Sequence, residues 1–275
     1  MHPTERYERF LALHQGPGLL TMPNAWDGMS ALLLREAGFQ ALGSSSIAIA
    51  FALGRPDGVH AVSREAAVAN AALLSDISGL PVNGDLEDGF GPDPEDCALT
   101  VEAAIAAGLA GLGIEDTTAD PTRPIHDFDL AVARVRRAAQ VARGRIVLTA
   151  RTDNYLKPGP YDLDDTIRRL SAFAEAGADV LFAPGLPDLD AIRAVVKAVA
   201  PRPVNVVVGP ASGPVSAATL EQVGVRRLSL GGALYRQSLR ALRDSAQALA
   251  QGDVATALAG AITSRELAAL LPAWP

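Results

Sequence analysis

The chain has 275 residues, and its 24 Lys and Arg are outnumbered by 31 Asp and Glu, which gives a formal net charge of -7 at pH 7. This acidic balance argues against nucleic-acid binding, because that function needs a clustered basic face. Apolar residues make up 49% of the chain and charged residues 20%. We therefore expect a folded globular protein rather than a disordered one.

The cysteine content and the termini indicate the compartment. A single cysteine, Cys97, excludes an intramolecular disulfide framework and is typical of a reducing compartment. The first ten residues show neither a secretory signal nor a lipidation motif. The uncharged stretch at 203–220 contains Gly209, Pro210, Gly213 and Pro214, so it cannot form a spanning helix. We expect a cytoplasmic protein with no membrane partner.

Short apolar runs typical of β-strands alternate with helical segments along the whole chain. Eight strands are predicted, at residues 18–22, 41–44, 81–85, 111–115, 146–151, 180–183, 204–208 and 227–230. Helices are predicted at 27–37, 63–78, 94–107, 129–143, 162–176, 188–199, 216–223 and 232–250, with a last one at 253–270. Four of these helices end in a Gly that precedes the next apolar strand, which is typical of a helix C-terminus.

Eight strands, each followed by a helix, predict an α/β fold of the (β/α)8 TIM-barrel type. We expect a single barrel domain over residues 1–275, with a C-terminal helical extension at about 253–275, because barrels of about 250 residues are common as one domain. The alternative is an open doubly wound sheet. No G-x-G-x-x-G follows the first strand and no Walker A motif occurs, so the nucleotide-binding form of that alternative has little support.

Carboxylates concentrate where the predicted strands end, which is the catalytic face of a barrel. Asp85 and Glu87 lie two residues apart, so an extended backbone points both to one side, where Glu115 from the next strand can join them. Asp57 is a fourth candidate. Such carboxylates repel one another unless a cation or protons compensate, and oxygen-only ligands suit Mg²⁺. The alternative is that they cap helices or pair with surface arginines.

Other polar residues at strand ends allow two interpretations each. Arg151 either forms a structural salt bridge with the acidic cluster or holds a substrate oxyanion with its fork of donors. The three serines at 44–46 either offer hydroxyl and N–H groups to a carboxylate or form a turn. The only lysines, Lys157 and Lys197, lie outside the predicted strands. A Schiff-base aldolase is therefore not expected.

These motifs resemble, in order, those of the isocitrate lyase and phosphoenolpyruvate mutase superfamily. They read N-A-W-D-G-M-S-A at 24–31, S-S-S at 44–46 with L-G-R-P-D-G at 53–58, D-L-E-D-G-F-G at 85–91, I-E-D at 114–116 and A-R-T-D at 150–153. The segments at 203–206 and 224–232 resemble a large bacterial branch of mostly unassigned substrate.

The resemblance implies an enzyme that uses Mg²⁺, or Mn²⁺, to act on a small 2-oxo or 2-hydroxy carboxylate through an enolate-like intermediate. It implies that Asp85 is the direct metal ligand and that the other carboxylates hold the ion mainly through its waters. The site residues that it suggests are Asp85, Glu87 and Glu115 for the metal, Arg151 and Asp57 for catalysis, and Ser45, Ser46, Ile47 and Arg151 for the substrate. It also implies a homo-oligomer, a tetramer or a dimer, in which a C-terminal helix is exchanged between subunits.

Departures from the family pattern bear on the reaction. The isocitrate and 2-methylisocitrate lyases carry a mobile K-K-C-G-H loop, whereas residues 116–126 here contain no Cys. The mutases use an Asn in that loop, and none lies between Asp116 and Phe128. We expect a lyase that cleaves a C–C bond in, or decarboxylates, a small di- or tricarboxylate. The alternatives are C–P chemistry of the phosphoenolpyruvate mutase or phosphonopyruvate hydrolase type, and a non-catalytic 2-oxoacid-binding protein.

Overall fold

The computed structural model describes residues 2–159, 162–210 and 212–272. Within them lie eight strands: β1 (Leu20–Met22), β2 (Leu42–Gly43), β3 (Val82–Asp85), β4 (Gly111–Glu115), β5 (Val147–Arg151), β6 (Val180–Phe182), β7 (Val204–Val207) and β8 (Arg227–Ser229). The strands from β2 to β8 pair in parallel with their sequence neighbours, and β8 pairs with β1. Between β1 and β2, the two strands that are not paired directly, two backbone hydrogen bonds join Gly43 to Pro23 and Ala25. The predicted (β/α)8 barrel is confirmed.

Helices follow the strands and surround the barrel. They are α1 (Pro3–Gln15), α2 (Gly28–Glu36), α3 (Ser46–Ala52), α4 (Arg64–Ser78), α5 (Pro94–Ala106), α6 (Phe128–Ala142), α7 (Leu163–Ala176), α8 (Leu189–Val199), α9 (Ala217–Gln222), α10 (Ala233–Ala250), α11 (Val254–Leu258) and α12 (Ser264–Leu270). The side chains of Asp27, Asp162 and Asp188 each accept a hydrogen bond from a backbone N–H of the first turn. These contacts fix where α2, α7 and α8 begin.

The helical segments differ from the prediction in three places. Helices α1 and α3 were not predicted, and α3 begins at Ser46, so the serines form a strand-to-helix junction rather than a turn. The predicted helix at 253–270 is two short helices, because Gly260 adopts a φ of +77° and Thr263 caps α12. The end of the predicted extension, residues 273–275, lies outside the described residues.

Helix α1 closes the N-terminal end of the barrel. Its Phe10 is 0% exposed and packs in a small apolar cluster with Met22, Val147 and Val180. Gly111 leaves the room for this ring, because a Cβ there would lie 2.5 Å from Phe10 Cε1. The larger apolar core lies between the strands and the surrounding helices. Among the helices of the described residues, we find none with the length and apolar character that crossing a membrane requires.

Candidate active site

A cavity of about 270 Å³ lies inside the barrel and reaches the C-terminal ends of the strands. Its lining includes seven of the eight residues predicted from the sequence, namely Ser45, Ser46, Ile47, Asp57, Asp85, Glu115 and Arg151. The eighth, Glu87, does not line this cavity and is 7% exposed. The structure therefore brings most of the predicted site residues together around one small space.

Asp85 ends β3, and the neighbouring β2–α3 junction holds it in place. Its backbone N–H donates to Ser44 Oγ over 2.8 Å, and its Oδ2 accepts a hydrogen bond of 2.8 Å from the backbone N–H of Ser46. Strand β2 pairs with β3 immediately before these residues. The serines therefore fix Asp85 at the cavity.

Arg151 forms salt bridges with acidic residues and also lines the cavity, so it is compatible with both a structural and a substrate-binding role. It lies beside Glu115 in the register of β4 and β5, and its Nη1 is 3.0 Å from Glu115 Oε2. Its Nη2 donates to Asp153 Oδ2 over 2.8 Å, and its Nε donates to Asp153 Oδ1. Burial lowers the pKa of Arg151, but the carboxylates of Asp153 and Glu115 outweigh this effect and hold the pKa above its usual value. The guanidinium is thus a fixed positive charge that also lines the cavity.

The carboxylates that line the cavity, and Glu87 nearby, have little positive charge to compensate them. Burial and the nearby charge of Asp85 raise the pKa of Asp57. Burial, followed by the charges of Asp57 and Asp85, raises the pKa of Glu87 to about 7. Burial raises the pKa of Glu115 well above its usual value, although Arg151 opposes this effect. Each of these groups would ionise more readily if additional positive charge were present.

The described residues contain no group of three or more His, Cys, Asp or Glu side chains placed to ligate one ion directly. The expected convergence of Asp85, Glu87 and Glu115 on one point is therefore not found. Glu115 turns towards Arg151, and its Oε1 accepts a hydrogen bond of 2.8 Å from Thr117 Oγ1. Glu87 lies outside the cavity lining.

A divalent cation held partly through water still fits these residues. Asp57 Oδ1 and Glu87 Oε2 are buried, and neither has a hydrogen-bond partner within the described ranges. Buried polar atoms of this kind are costly unless a missing ligand or water satisfies them. Asp85 is the candidate for direct contact, and a hydrated hard cation would compensate the other carboxylates without three direct protein ligands.

The turn after β3 carries backbone strain. Glu87 has a φ of +48° and Phe90 a φ of +62°, a region that residues other than Gly rarely adopt. Asp88 Oδ1 accepts a hydrogen bond of 2.6 Å from His60 Nε2, and the buried Arg134 donates to the carbonyls of Asp88 and Gly91. These contacts hold the strained turn, and such turns cluster at functional sites.

Sequence reasoning missed a second group of polar residues that line the cavity. These residues are Asn24, Asn83, Thr149, Asn205, Arg227 and Ser229. A signal was present, because Asn83 and Thr149 stand two residues before Asp85 and Arg151, and alternate residues of a strand share a face.

Comparisons with known proteins agree with this geometry. The phosphoenolpyruvate phosphomutase family model matches residues 10–250, so the chain belongs to this family of barrel proteins. It is 31% identical to the oxaloacetate decarboxylase of Paraburkholderia xenovorans over 94% of this chain and 87% of that protein. It is 33% identical to the 2-methylisocitrate lyase of Bacillus subtilis over 65% of this chain and 59% of that enzyme. A solved structure from Burkholderia cenocepacia J2315, of a protein with a provisional lyase/mutase assignment, superposes with a TM-score of 0.92 at 42% identity and covers 97% of this chain and 95% of that one.

Proposed function

We propose that this protein is a Mg²⁺-dependent lyase that cleaves a C–C bond in, or decarboxylates, a small 2-oxo or 2-hydroxy di- or tricarboxylate. The observation that carries this proposal is a fixed guanidinium, that of Arg151, at a small cavity that is also lined by Asp57, Asp85 and Glu115. A cavity of about 270 Å³ suits a ligand of only a few carbon atoms.

The relatives support this class of reaction. The oxaloacetate decarboxylase covers nearly the whole chain. In both decarboxylation and aldol-type cleavage the electron pair of the broken C–C bond is taken up as an enolate, which places negative charge on the oxygen of the adjacent carbonyl or carboxyl group. The match to the 2-methylisocitrate lyase covers only 59% of the length of that enzyme. We therefore rank oxaloacetate and related short dicarboxylates ahead of tricarboxylates as substrates.

The residues of the chain supply electrostatic stabilisation and orientation. The donors of Arg151 that are not used by Glu115 and Asp153 can bind the substrate oxygen on which negative charge develops, which lowers the barrier. Ser45, Ser46 and Ile47 would bind the substrate carboxylate. A bound Mg²⁺ would supply Lewis-acid polarisation of the same substrate oxygen. Asp85 would hold that ion directly, and Asp57, Glu87 and Glu115 would hold it through water.

A coupled assay for pyruvate and glyoxylate tests the proposal. The panel is oxaloacetate, substituted malates, isocitrate, 2-methylisocitrate and phosphonopyruvate, each with and without EDTA. We expect EDTA-sensitive product from one carboxylate. Phosphate release from phosphonopyruvate, detected by phosphorus NMR, would instead establish C–P chemistry. Mg²⁺-dependent binding of oxalate without turnover of any compound would favour a non-catalytic 2-oxoacid-binding protein.

The Asp85→Asn variant separates the metal assignment from the reaction class. Asn can still accept the hydrogen bond from Ser46 but lacks the charge that attracts the ion. We expect Mg²⁺ binding, measured by isothermal titration, to weaken by about 10–100-fold, as for other changes around metal sites. Asp129→Asn, an exposed change on α6, is the matched control. Equal Mg²⁺ affinity in the two variants would contradict the role of Asp85.

We also propose that the protein is a homo-oligomer that exchanges its C-terminal helices. Helix α10 buries only Tyr235 among its own residues, whereas its Leu242 and Leu249 are 65% and 58% exposed. A helix with this much exposed apolar surface is typical of an interface.

A further inference from the structure

The cavity has a lower part that the proposed reaction does not use. Asn83, Thr149 and Asn205 stand two residues before Asp85, Arg151 and Val207 on β3, β5 and β7. With a rise of about 3.3 Å per residue along strands tilted by about 36°, they lie about 5 Å deeper in the barrel than Asp85 and Arg151. Arg227, the first residue of β8, reaches the same level, because it bonds to all three side chains. We use the name barrel floor for Asn83, Thr149, Asn205 and Arg227 together with Ser229, which lies one layer higher in register with Val207 and whose Oγ contacts Asn205 Nδ2.

Arg227 is a buried positive charge that has only neutral partners. It is 2% exposed, and no carboxylate of the described residues lies within ion-pair distance of it. Its Nε donates to Asn205 Oδ1 over 2.9 Å and its Nη2 to Thr149 Oγ1 over 3.0 Å. Its Nη1 lies 3.3 Å from His14 Nε2 and 3.5 Å from Asn83 Oδ1. An isolated charge in this position costs several kcal/mol unless an ion of opposite sign accompanies it.

The barrel floor has more donors than acceptors. Arg227 has five N–H groups, and the four contacts found among the described residues leave one N–H on Nη2 available. Ser229 Oγ accepts from Asn205 Nδ2 over 3.0 Å, so its own proton can point into the cavity. Asn83 Nδ2 has only a long contact of 3.4 Å, to the carbonyl of Gly84.

Space is available next to these donors. Gly113 carries no side chain, and even a Cβ built there would lie 3.9 Å from Asn83 Nδ2. Gly113, Arg227 and Ser229 all line the same cavity as Asp85 and Arg151. A small group that enters from the mouth of the barrel can therefore reach the floor.

We propose that the barrel floor is an anion-binding site, in which Arg227, Ser229 and Asn83 bind a small monovalent anion below Asp85 and Arg151. Two sources offer this chemistry. One is a free inorganic ion such as a halide, and the other is a carboxylate of a bound organic ligand. The positive charge without a charged partner, the excess of donors and the open volume all favour an anion as the occupant. Burial also lowers the pKa of Arg227 to about 9, so its charge is costly without a counter-ion.

Thermal unfolding at constant ionic strength and fixed Mg²⁺ tests this site. Sodium HEPES, whose bulky sulfonate anion is too large for the floor and is not a carboxylate, is replaced stepwise by sodium bromide or by sodium formate. We expect one of these probes to raise Tm saturably, by about 3–5 °C at ten times its Kd. A response to bromide identifies a free inorganic anion as the occupant. A response to formate alone identifies a ligand carboxylate.

Three variants assign the response to the floor. Arg227→Met should abolish it, and Ser229→Ala should weaken probe binding by about tenfold, which corresponds to one lost hydrogen bond. Arg226→Met is the matched control, because Arg226 is the adjacent exposed residue and contacts the carbonyl of Gly18 over 3.3 Å. If Arg227→Met does not fold, Ser229→Ala decides. No saturable response in the wild type, or an unchanged Kd in Ser229→Ala, would overturn the proposal.

Discussion

At the scale of single residues, Arg151 owes its position to a chain of buried contacts. Asp153 binds two of its nitrogens, and the backbone N–H of Asp153 donates to Asp116 Oδ1 over 3.0 Å. Asp116 Oδ2 in turn accepts from Thr152 Oγ1 over 2.8 Å and from Arg169 Nη1 over 3.2 Å. The first and second residues after the end of β5, Thr152 and Asp153, are thus tied to the residue that follows β4 and, through it, to α7. Asp153 is a positioning residue for Arg151 in the proposed reaction.

The Asp153→Asn variant tests that role. Asn keeps the size of the side chain but replaces one acceptor of the Arg151 fork with an amide donor, so the guanidinium should shift. We expect kcat to fall by about 100-fold with little change in KM, because small misplacements of a catalytic group have effects of this size. Steady-state kinetics on the substrate identified by the panel measures both constants. Asp127→Asn, on the exposed loop, is the control, and a loss of only stability in Asp153→Asn would contradict the positioning role.

His14 makes the stability of the fold depend on pH. Burial, followed by the charge of Arg227, lowers its pKa to about 3. Its Nδ1 lies 2.8 Å from the Phe10 carbonyl and donates to it, while Nε2 accepts from Arg227, so the folded state needs the neutral ring. Since the unfolded chain binds the proton near pH 6.5, this contribution is present above pH 6.5 and is lost as the pH falls towards 3. Its largest slope is about 1.4 kcal/mol per pH unit.

The His14→Gln variant should therefore lose less stability than the wild type on acidification. Urea unfolding at pH 7, 6, 5 and 4 gives the free energy of unfolding at each pH. We expect the variant to be less stable at pH 7 and its curve to be flatter below pH 6.5. His2→Gln, at the exposed start of the same helix, should keep the wild-type slope. Equal slopes in the two variants would show that His14 does not titrate in this range.

At the scale of elements, the tight packing of α1 into the barrel depends on one glycine of β4. A Cβ at Gly111 would lie 2.5 Å from Phe10 Cε1 and 3.0 Å from Asn83 Oδ1. At Gly113, two residues on, the nearest atoms would lie 3.9 Å away. Gly111→Ala should therefore destabilise the fold by about 1–3 kcal/mol, the usual cost of overpacking, whereas Gly113→Ala should not. Chemical denaturation of both variants measures this, and equal stabilities would contradict the packing argument.

The same elements show what the sequence could predict. The strands were predicted because short apolar runs alternate with helical segments, and β4 matches its prediction residue for residue. Helix α1 was not predicted because it buries only Phe10 and His14 and its other residues are largely polar. Arg227 was not predicted as a site residue because a charged residue at the start of a three-residue strand suggests a position on the surface. Only the closure of the barrel places it at the floor.

At the scale of the whole molecule, helices α10, α11 and α12 make few contacts with the rest of the chain. Helix α10 packs mainly against α11, and α12 against α2. The apolar residues Leu242, Leu249 and Leu258 are 65%, 58% and 65% exposed. Exposed apolar surface of this extent is unusual on an isolated chain, so we expect a second copy of the chain to pack against it.

Light scattering coupled to size-exclusion chromatography tests this assembly. We expect the wild type to elute as a dimer or tetramer, because the exposed leucines of α10 would be buried between subunits. Leu242→Glu combined with Leu249→Glu should dissociate it, since each change places a charge in an apolar contact. Leu99→Glu, a change on α5 of a leucine that is 50% exposed, is the matched control and should leave the assembly intact. A monomeric wild type would contradict the exchange, and dissociation by the control would place the interface on the barrel instead. Loss of activity together with dissociation would further show that the active site depends on the assembled form.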